Sequence, residues 1–296
     1  MKTLRRQALV LSFLLIFACL PKEVPPPPPL PPPKPAKVAV VLGAGVSRGF
    51  AHVGVLKVLE SQKVPIHLII GTSAGSFVGS LYAFGYDAFQ LQKMALDLQK
   101  DDVVDLCIPD NGFVRGEKLE NFVNRTVRQT LLEQMKIPFR AVATNIQTGE
   151  ETVFATGNTG KAVRASCSIP GIFQPVRIGD KAYVDGGVVS PVAVDAARKA
   201  GADVVIAVDI SAGVAGAVPQ GILVTILQSI DIMYAKIAAA QLKNADVVIR
   251  PQVSQIGSGD FDKRNEAIFE GEKAAAQALP QIQLILGKLR QEGRLP

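Results

Sequence analysis

The chain has 296 residues, 48% of them hydrophobic and 20% charged, which suits one large or two small folded domains with a sizeable core. With no tryptophan and four tyrosines it lacks stacking platforms for single-stranded nucleic acid. Of its net charge of +6, Lys2, Arg5 and Arg6 supply three before the first acid, Glu23, so no basic stripe for nucleic acid remains.

In chain order, "MKTLRRQALVLSFLLIFAC" comes first: a basic start, then about eleven mostly apolar residues. That run is too short to span a bilayer and reads as a secretory signal over residues 1–18. Ala18-Cys19 resembles the bacterial lipoprotein processing site, whose cysteine is lipidated and becomes the new N-terminus. The alternative is an ordinary signal peptide or an uncleaved anchor with an incidental cysteine. A lipidated Cys19 implies tethering to a membrane of the bacterial cell envelope, on the periplasmic side of the outer membrane in a Gram-negative cell. The proline tract that follows, through residue 36, cannot form helix or central strand. As polyproline II at roughly 3.1 Å per residue it makes a spacer of about 45–50 Å.

From Lys37 onward short apolar runs alternate with amphipathic segments. "KVAVVLG" predicts a buried strand, "RGFAHVGVLKVLESQK" a helix, "IHLIIG" a second strand and "AGSFVGSLYAFG" a second helix. Such βαβ units imply a largely parallel sheet covered on both faces. Leu119, Phe122, Val123, Val127 and Leu131 recur at helical spacing and predict a helix over 115–135. The strands "FRAVATNI" and "ETVFATG" flank the turn "QTG", and "AYVDGG", "DVVIAVDI" and "DVVIR" add three more. The apolar segment "ILVTILQSIDIMYAKIAAAQL" contains Asp231 and Lys236, which argue against a membrane span. It predicts a buried or interface-facing helix, with contact to lipid as the alternative. One domain from about 37 to 296 is the simplest organisation. Cys107 and Cys167 can pair in an exported protein or stay free. With two histidines and no C-x-x-C pair, no metal site or cofactor is implied.

"GTSAG" places Ser73 between Gly71 and Gly75 at the strand-to-helix junction, the G-x-S-x-G spacing of a nucleophilic serine. Such a serine needs a base. The only histidines, His52 and His67, both precede Ser73, so the acid-then-histidine order of an α/β-hydrolase is absent. Asp185, at the end of an apolar strand and followed by Gly186 and Gly187, sits where parallel sheets place functional groups, although "DGG" is also a plain turn signal. Asp209 is a less specific candidate of the same kind. The third element is the loop Gly43-Ala44-Gly45-Val46, with Arg48 close behind, after a strand and opening a helix. Its backbone N–H groups can hold a phosphate or an oxyanion, but it is neither a P-loop nor a G-x-G-x-x-G turn.

The three pieces "GAGVSRG", "GTSAG" and "DGG", in that order, resemble the patatin-like phospholipase family, as do the surrounding "VRASCSIPGIFQPV" and "GADVVIAVDIS". The resemblance implies an α/β fold, a three-layer α/β/α sandwich with a mostly parallel central sheet. It also implies a Ser–Asp dyad, with Ser73 as nucleophile and Asp185 as base, and an oxyanion hole from Gly43 to Val46 with Arg48 nearby. The implied substrate is a phospholipid or another acyl-ester lipid, cleaved as by a phospholipase A, lysophospholipase or carboxylesterase. Asp185 is expected to be desolvated, with its pKa raised. The family's loop usually has glycines where this chain has Ala44 and Val46; the expectation is that the loop accepts ordinary φ there. If it does not, the alternative is an impaired hole, a lipid-binding or envelope scaffold. An acyltransferase would form the same acyl-enzyme.

Overall fold

Three strands, β1 (Val38–Leu42), β2 (Leu68–Thr72) and β7 (Val204–Val208), are buried at every position, as a sheet covered on both faces requires. They pair in parallel, with β2 and β7 flanking β1, and β8 (Val247–Ile249) adds to β7 in parallel. The computed structural model describes residues 31–108, 111–211, 218–257 and 259–296. The expected signal peptide, Cys19 and most of the proline tract lie outside the described residues. The folded unit runs from Pro35 to Pro296.

The pleat divides the core in two. Val38, Val40, Leu42 and Ile69 share one cluster with Leu56 and Leu59 of α1 (Phe50–Ser61) and Leu81 of α2 (Ala74–Phe84). Ala39, Val41 and Ile70 share the other with Val194, Ala196 and Ala197 of α7 (Val194–Lys199). Alternate side chains of one strand thus feed opposite helical layers, which makes a three-layer α/β fold with a mixed, mostly parallel sheet. The long C-terminal helix α9 (Arg264–Gln291) crosses α1 at glycines on both sides. A Cβ at Gly54 would lie 1.9 Å from the Ile268 carbonyl oxygen, and one at Gly271 2.0 Å from that of Ala51.

The far end of the sheet brings distant sequence together. β3 (Phe139–Asn145) pairs in parallel with β2 over residues 139–142 and antiparallel with β6 (Lys181–Asp185) over 143–145. β4 (Glu151–Phe154) pairs along residues 141–144 of β3, so it takes one edge of that strand and leaves β2 and β6 to share the other. β2 and β6 therefore run toward each other, with Thr72 opposite Val142 and Asp185 opposite Ala143. Their carboxyl ends meet and bring Ser73 to Asp185, 112 residues away in sequence. Asp185 does stand at a strand end, but of an antiparallel strand, so the parallel-sheet rationale for it is corrected. β5 (Val176–Ile178) completes the sheet beside β6.

Two helices differ from their sequence patterns. The helix expected over 115–135 is α5 (Glu117–Thr126) and stops there, because Arg128 and Gln129 take φ of 53° and 60°. Val127 and Leu132 stay buried through the turn, which is why the apolar spacing runs on past the helix. The apolar segment forms α8 (Ile222–Gln241), in which only Tyr234 and Ala238 are buried. Ile222 is 80% exposed and Met233 53%. Of the expectation of a buried or interface-facing helix, the buried half is corrected: α8 rests on the domain by one narrow stripe. From Ile222 to Asn244 the segment is long and apolar enough to cross a membrane by length and composition alone.

Candidate active site

Ser73 joins β2 to α2 with φ 53° and ψ −123°, a left-handed conformation that non-glycine residues avoid. Local bonds hold it there. Its N–H donates to Ser166 Oγ at 2.8 Å, and its carbonyl accepts from Ser76 N–H at 2.8 Å and Ser76 Oγ at 2.7 Å. The flanking glycines supply room: a Cβ at Gly75 would lie 2.0 Å from the Leu42 carbonyl oxygen, and one at Gly71 2.5 Å from that of Gly75.

Ser73 Oγ donates to Asp185 Oδ2 at 2.6 Å. The other carboxylate oxygen, Oδ1, accepts from Gly187 N–H at 2.7 Å and from the Tyr234 hydroxyl at 3.0 Å. Thr144 Oγ1 donates to the Asp185 carbonyl at 2.9 Å and fixes the turn. Asp185 is fully buried, and burial pushes its carboxyl up to about 6, against the pull of the Ser73, Gly187 and Tyr234 donors, which favour the charged form. Gly186 and Gly187 are needed for space rather than for left-handed backbone. A Cβ at the first would meet the Val142 carbonyl oxygen at 2.2 Å, and one at the second the Tyr234 ring at 2.3 Å.

The glycine-rich loop lies beside this pair. Gly43 N–H donates to Val208 O and Ala44 N–H to Pro191 O, so neither amide is free to bind an anion. The N–H groups of Gly45 and Val46 have no hydrogen-bond partner among the described residues. Gly45 is extended at φ 166°, and Ala44 stays out of the left-handed region. Val46 does not: its φ is 51°, where the chain reverses from extended Gly45 into a 3₁₀ turn. Ordinary φ throughout the loop is therefore corrected at Val46, at a conformational cost of roughly 1–2 kcal/mol.

Arg48 is also corrected. Its buried guanidinium makes a bidentate pair with Asp231 of α8, at 3.2 and 2.5 Å, and so ties the loop to that helix instead of standing free beside a reacting oxygen. The histidines have structural places. Fully buried His52 sets Nε2 2.8 Å from the Gly43 carbonyl, and burial pulls its pKa down to about 4, so it is neutral and donates. His67 Nδ1 accepts from Val38 N–H. Asp209 accepts from Ser211 and pairs with Arg250. Cys107 and Cys167 are unpaired.

Ser73 opens into a cavity of about 380 Å³ with an almost wholly apolar lining, including Phe77, Val78, Leu119, Phe122 and Cys167. At its rim stand Leu106, 81% exposed, and Leu223 of α8, 44% exposed. Among the described residues no cluster of His, Cys, Asp or Glu is placed to hold a metal ion. Sequence reasoning missed Ser166, Asp231 and Tyr234. The last two had one weak signal, polar groups three residues apart in a mostly apolar run.

A buried serine–carboxylate pair thus stands on a strand-to-helix elbow, beside a loop with unused amides and above an apolar cavity. The family model of the patatin-like phospholipases matches residues 40–198, and the chain belongs to that family. It is 34% identical over 184 residues to an uncharacterized NTE family protein of Mycobacterium tuberculosis, covering 61% of this chain and 51% of that one. It is 34% identical over 181 residues to human patatin-like phospholipase domain-containing protein 6, covering 58% of this chain and 13% of that one. A lysophospholipase of Pyricularia oryzae is 27% identical over 292 residues, 88% of this chain and 19% of its own. The chain thus spans about half or less of the length of these relatives. Among solved structures, VipD from Legionella pneumophila shares the fold, with a TM-score of 0.59 at 12% identity over 84% of this chain and 67% of that one.

Proposed function

We propose that the protein is a serine acyl hydrolase that cleaves carboxylic esters of membrane lipids, a phospholipase A or lysophospholipase, through a Ser73–Asp185 dyad. The observation that carries this reading is the 2.6 Å bond from Ser73 Oγ to a buried carboxylate at an apolar cavity of about 380 Å³. That volume lies in the range of small-molecule sites, and the lining suits an acyl chain. Asp185 takes the Ser73 proton as Oγ attacks the ester carbonyl. The tetrahedral oxyanion is met by the free N–H groups of Gly45 and Val46, at the start of a helical turn; one such donor is worth about 3–4 kcal/mol elsewhere. Collapse expels the lyso-lipid or glycerol alcohol, which takes the proton from Asp185. Water activated by the same carboxylate then releases the fatty acid from Ser73.

A carboxyl held near 6 is a better base than an ordinary aspartate and is still largely ionised at neutral pH. Activity is accordingly expected to fall below about pH 6. The exposed apolar rim at Leu106 and Leu223 favours a substrate presented by a lipid surface. We propose further that lipidated Cys19 tethers the chain to the cell envelope, where such lipid is at hand. A second reading, a scaffold with an impaired oxyanion hole, is favoured by one observation, the strained valine at 46.

A fluorophosphonate probe and a p-nitrophenyl ester test the dyad. Wild type is expected to label and turn over, while Ser73→Ala does neither and Asp185→Asn loses at least about 10³-fold in kcat. A folded wild type that neither labels nor hydrolyses would leave the scaffold. Labelling of the envelope protein by a radiolabelled fatty acid, lost in Cys19→Ser, checks the tether.

A further inference from the structure

We propose that Tyr234 is a positioning residue of the reaction, holding the Asp185 carboxylate so that Oδ2, and not Oδ1, faces Ser73. The inference rests on the dyad reading above and assigns work to a helix, α8, that no motif connects to the site.

The argument starts from the two oxygens of one carboxylate. Among the described residues Oδ2 has a single donor, Ser73 Oγ, and is the oxygen that would accept the proton. Oδ1 has two donors, Gly187 N–H and the Tyr234 hydroxyl. A carboxylate turns about its last bond over a broad, roughly two-fold torsional profile, so two fixed donors on one oxygen are what select a rotamer. Gly187 belongs to the same turn as Asp185 and moves with it. Tyr234 comes from another element and is the independent reference.

The fit of the ring is specific. Gly187 lies so close that a Cβ there would be 2.3 Å from the ring atoms and 2.7 Å from the hydroxyl. The second glycine of "DGG" is therefore explained by Tyr234. The tyrosine is buried at 5% exposure on a helix where Ala238 is the one other buried residue, and one turn earlier the same helix holds Arg48 through Asp231. α8 thus grips both sides of the site, the glycine-rich loop and the aspartate turn.

The neighbours leave one group to titrate in the working range. Burial and the nearby Asp185 charge push the Tyr234 phenol and the Cys167 thiol well up, so both stay neutral. His52, on the far side of the loop, is pulled down to about 4, and Asp231 is paired with Arg48. An acid limb above pH 5 then reports Asp185. The Tyr234 hydroxyl favours the charged carboxylate, so its loss should move that limb up.

The test compares full-length wild type with Tyr234→Phe, and with 3-fluorotyrosine installed at 234 as a stronger donor, on p-nitrophenyl butyrate from pH 5 to 9. Active sites are counted with a fluorophosphonate. For Tyr234→Phe per counted site, the limb of kcat/KM is expected to rise by about half to one pH unit. The high-pH plateau of kcat should fall about ten-fold with KM unchanged, as for a misplaced reacting group. With 3-fluorotyrosine the limb should move down. A limb that stays in place in both variants, per counted site, overturns the proposal, since a structural role lowers the count and not the profile. If Tyr234→Phe does not fold, the direction of the 3-fluorotyrosine shift decides alone. A wild type without esterase activity refutes the dyad itself, and an active wild type with unmoved profiles refutes only Tyr234.

Discussion

Val46 and Ser73 have nearly the same backbone twist, φ 51° and 53°, yet the strain is held in different ways. At Ser73 it is over-determined nearby: the elbow is pinned by Ser166 and Ser76 and closed by Gly71 and Gly75, within hydrogen-bond or contact distance. Among the described residues Val46 is bridged by one backbone bond, from Arg48 N–H to the Gly45 carbonyl at 3.1 Å. Its loop is anchored at one end by Gly43 and Ala44, and at the other by Arg48, whose partner Asp231 lies 183 residues away on a largely exposed helix. A serine built into such an elbow keeps its geometry for as long as the sheet exists. The proposed oxyanion amides are held by that local bond together with a long-range ion pair, so the two halves of the site are expected to separate by mutation.

The largest expected effect follows from cutting that tie. Asp231→Ala leaves a buried guanidinium unpaired, with its Nε already without a partner among the described residues. Breaking such a pair costs about 3–5 kcal/mol, readable in urea unfolding. If the comparison is right, residual folded Asp231→Ala still carries a normal Ser73–Asp185 pair while the loop is released. Fluorophosphonate labelling should then slow by about ten-fold or more per folded molecule, the cost of losing part of an oxyanion hole. Labelling at the wild-type rate would show that the loop amides keep their places without Arg48.

The elbow side yields the next effect, with the opposite sign. Asp185 is raised from 3.8 to about 6 on folding, so between those values the folded state binds more protons than the unfolded one. Stability contributed by this group therefore falls as pH rises from 3.8 to 6 and stays low above. His52 works in the reverse direction: lowered from 6.5 to about 4, it lends stability above 6.5 that is lost as pH falls toward 4. Asp185→Asn isolates the first term. It should unfold later than wild type at pH 7.5 by of order 2–3 kcal/mol, with the advantage vanishing near pH 4, while activity is lost. An Asp185→Asn protein less stable than wild type at every pH would mean that the donors to Asp185 outweigh its burial.

The two halves were unequally legible for the same reason. Ser73 between two glycines encodes a turn within five residues, and "DGG" encodes a strand stop, so composition and spacing suffice to find them. The direction of β6 was not legible, because a short apolar run specifies a strand but not which way it runs beside β3. The parallel-sheet argument thus reached Asp185 by a path the topology does not follow. Nor does hydropathy say whether an apolar helix is buried. α8 has the composition of a core helix and exposes most of it, and its working residues, Asp231 and Tyr234, meet partners that no local pattern connects to them. The overrun of α5 has a related origin, since burial of Val127 and Leu132 continues where the helix does not.

The smallest effect addresses the valine itself. Val46→Gly removes a left-handed strain of roughly 1–2 kcal/mol but adds unfolded-state freedom of about 0.5–1 kcal/mol and takes a half-buried side chain off the cavity wall. The net change in unfolding free energy is expected between zero and about +1 kcal/mol. Because the strained conformation is already the one that leaves the Gly45 and Val46 amides unpaired, glycine has little to correct. The esterase kcat should stay within about three-fold of wild type, since relieving strain without moving a donor leaves transition-state contacts as they were. A rise of ten-fold or more would show that valine had been holding the amide off its mark. The oxyanion side, and not the elbow, would then set the rate of the proposed reaction.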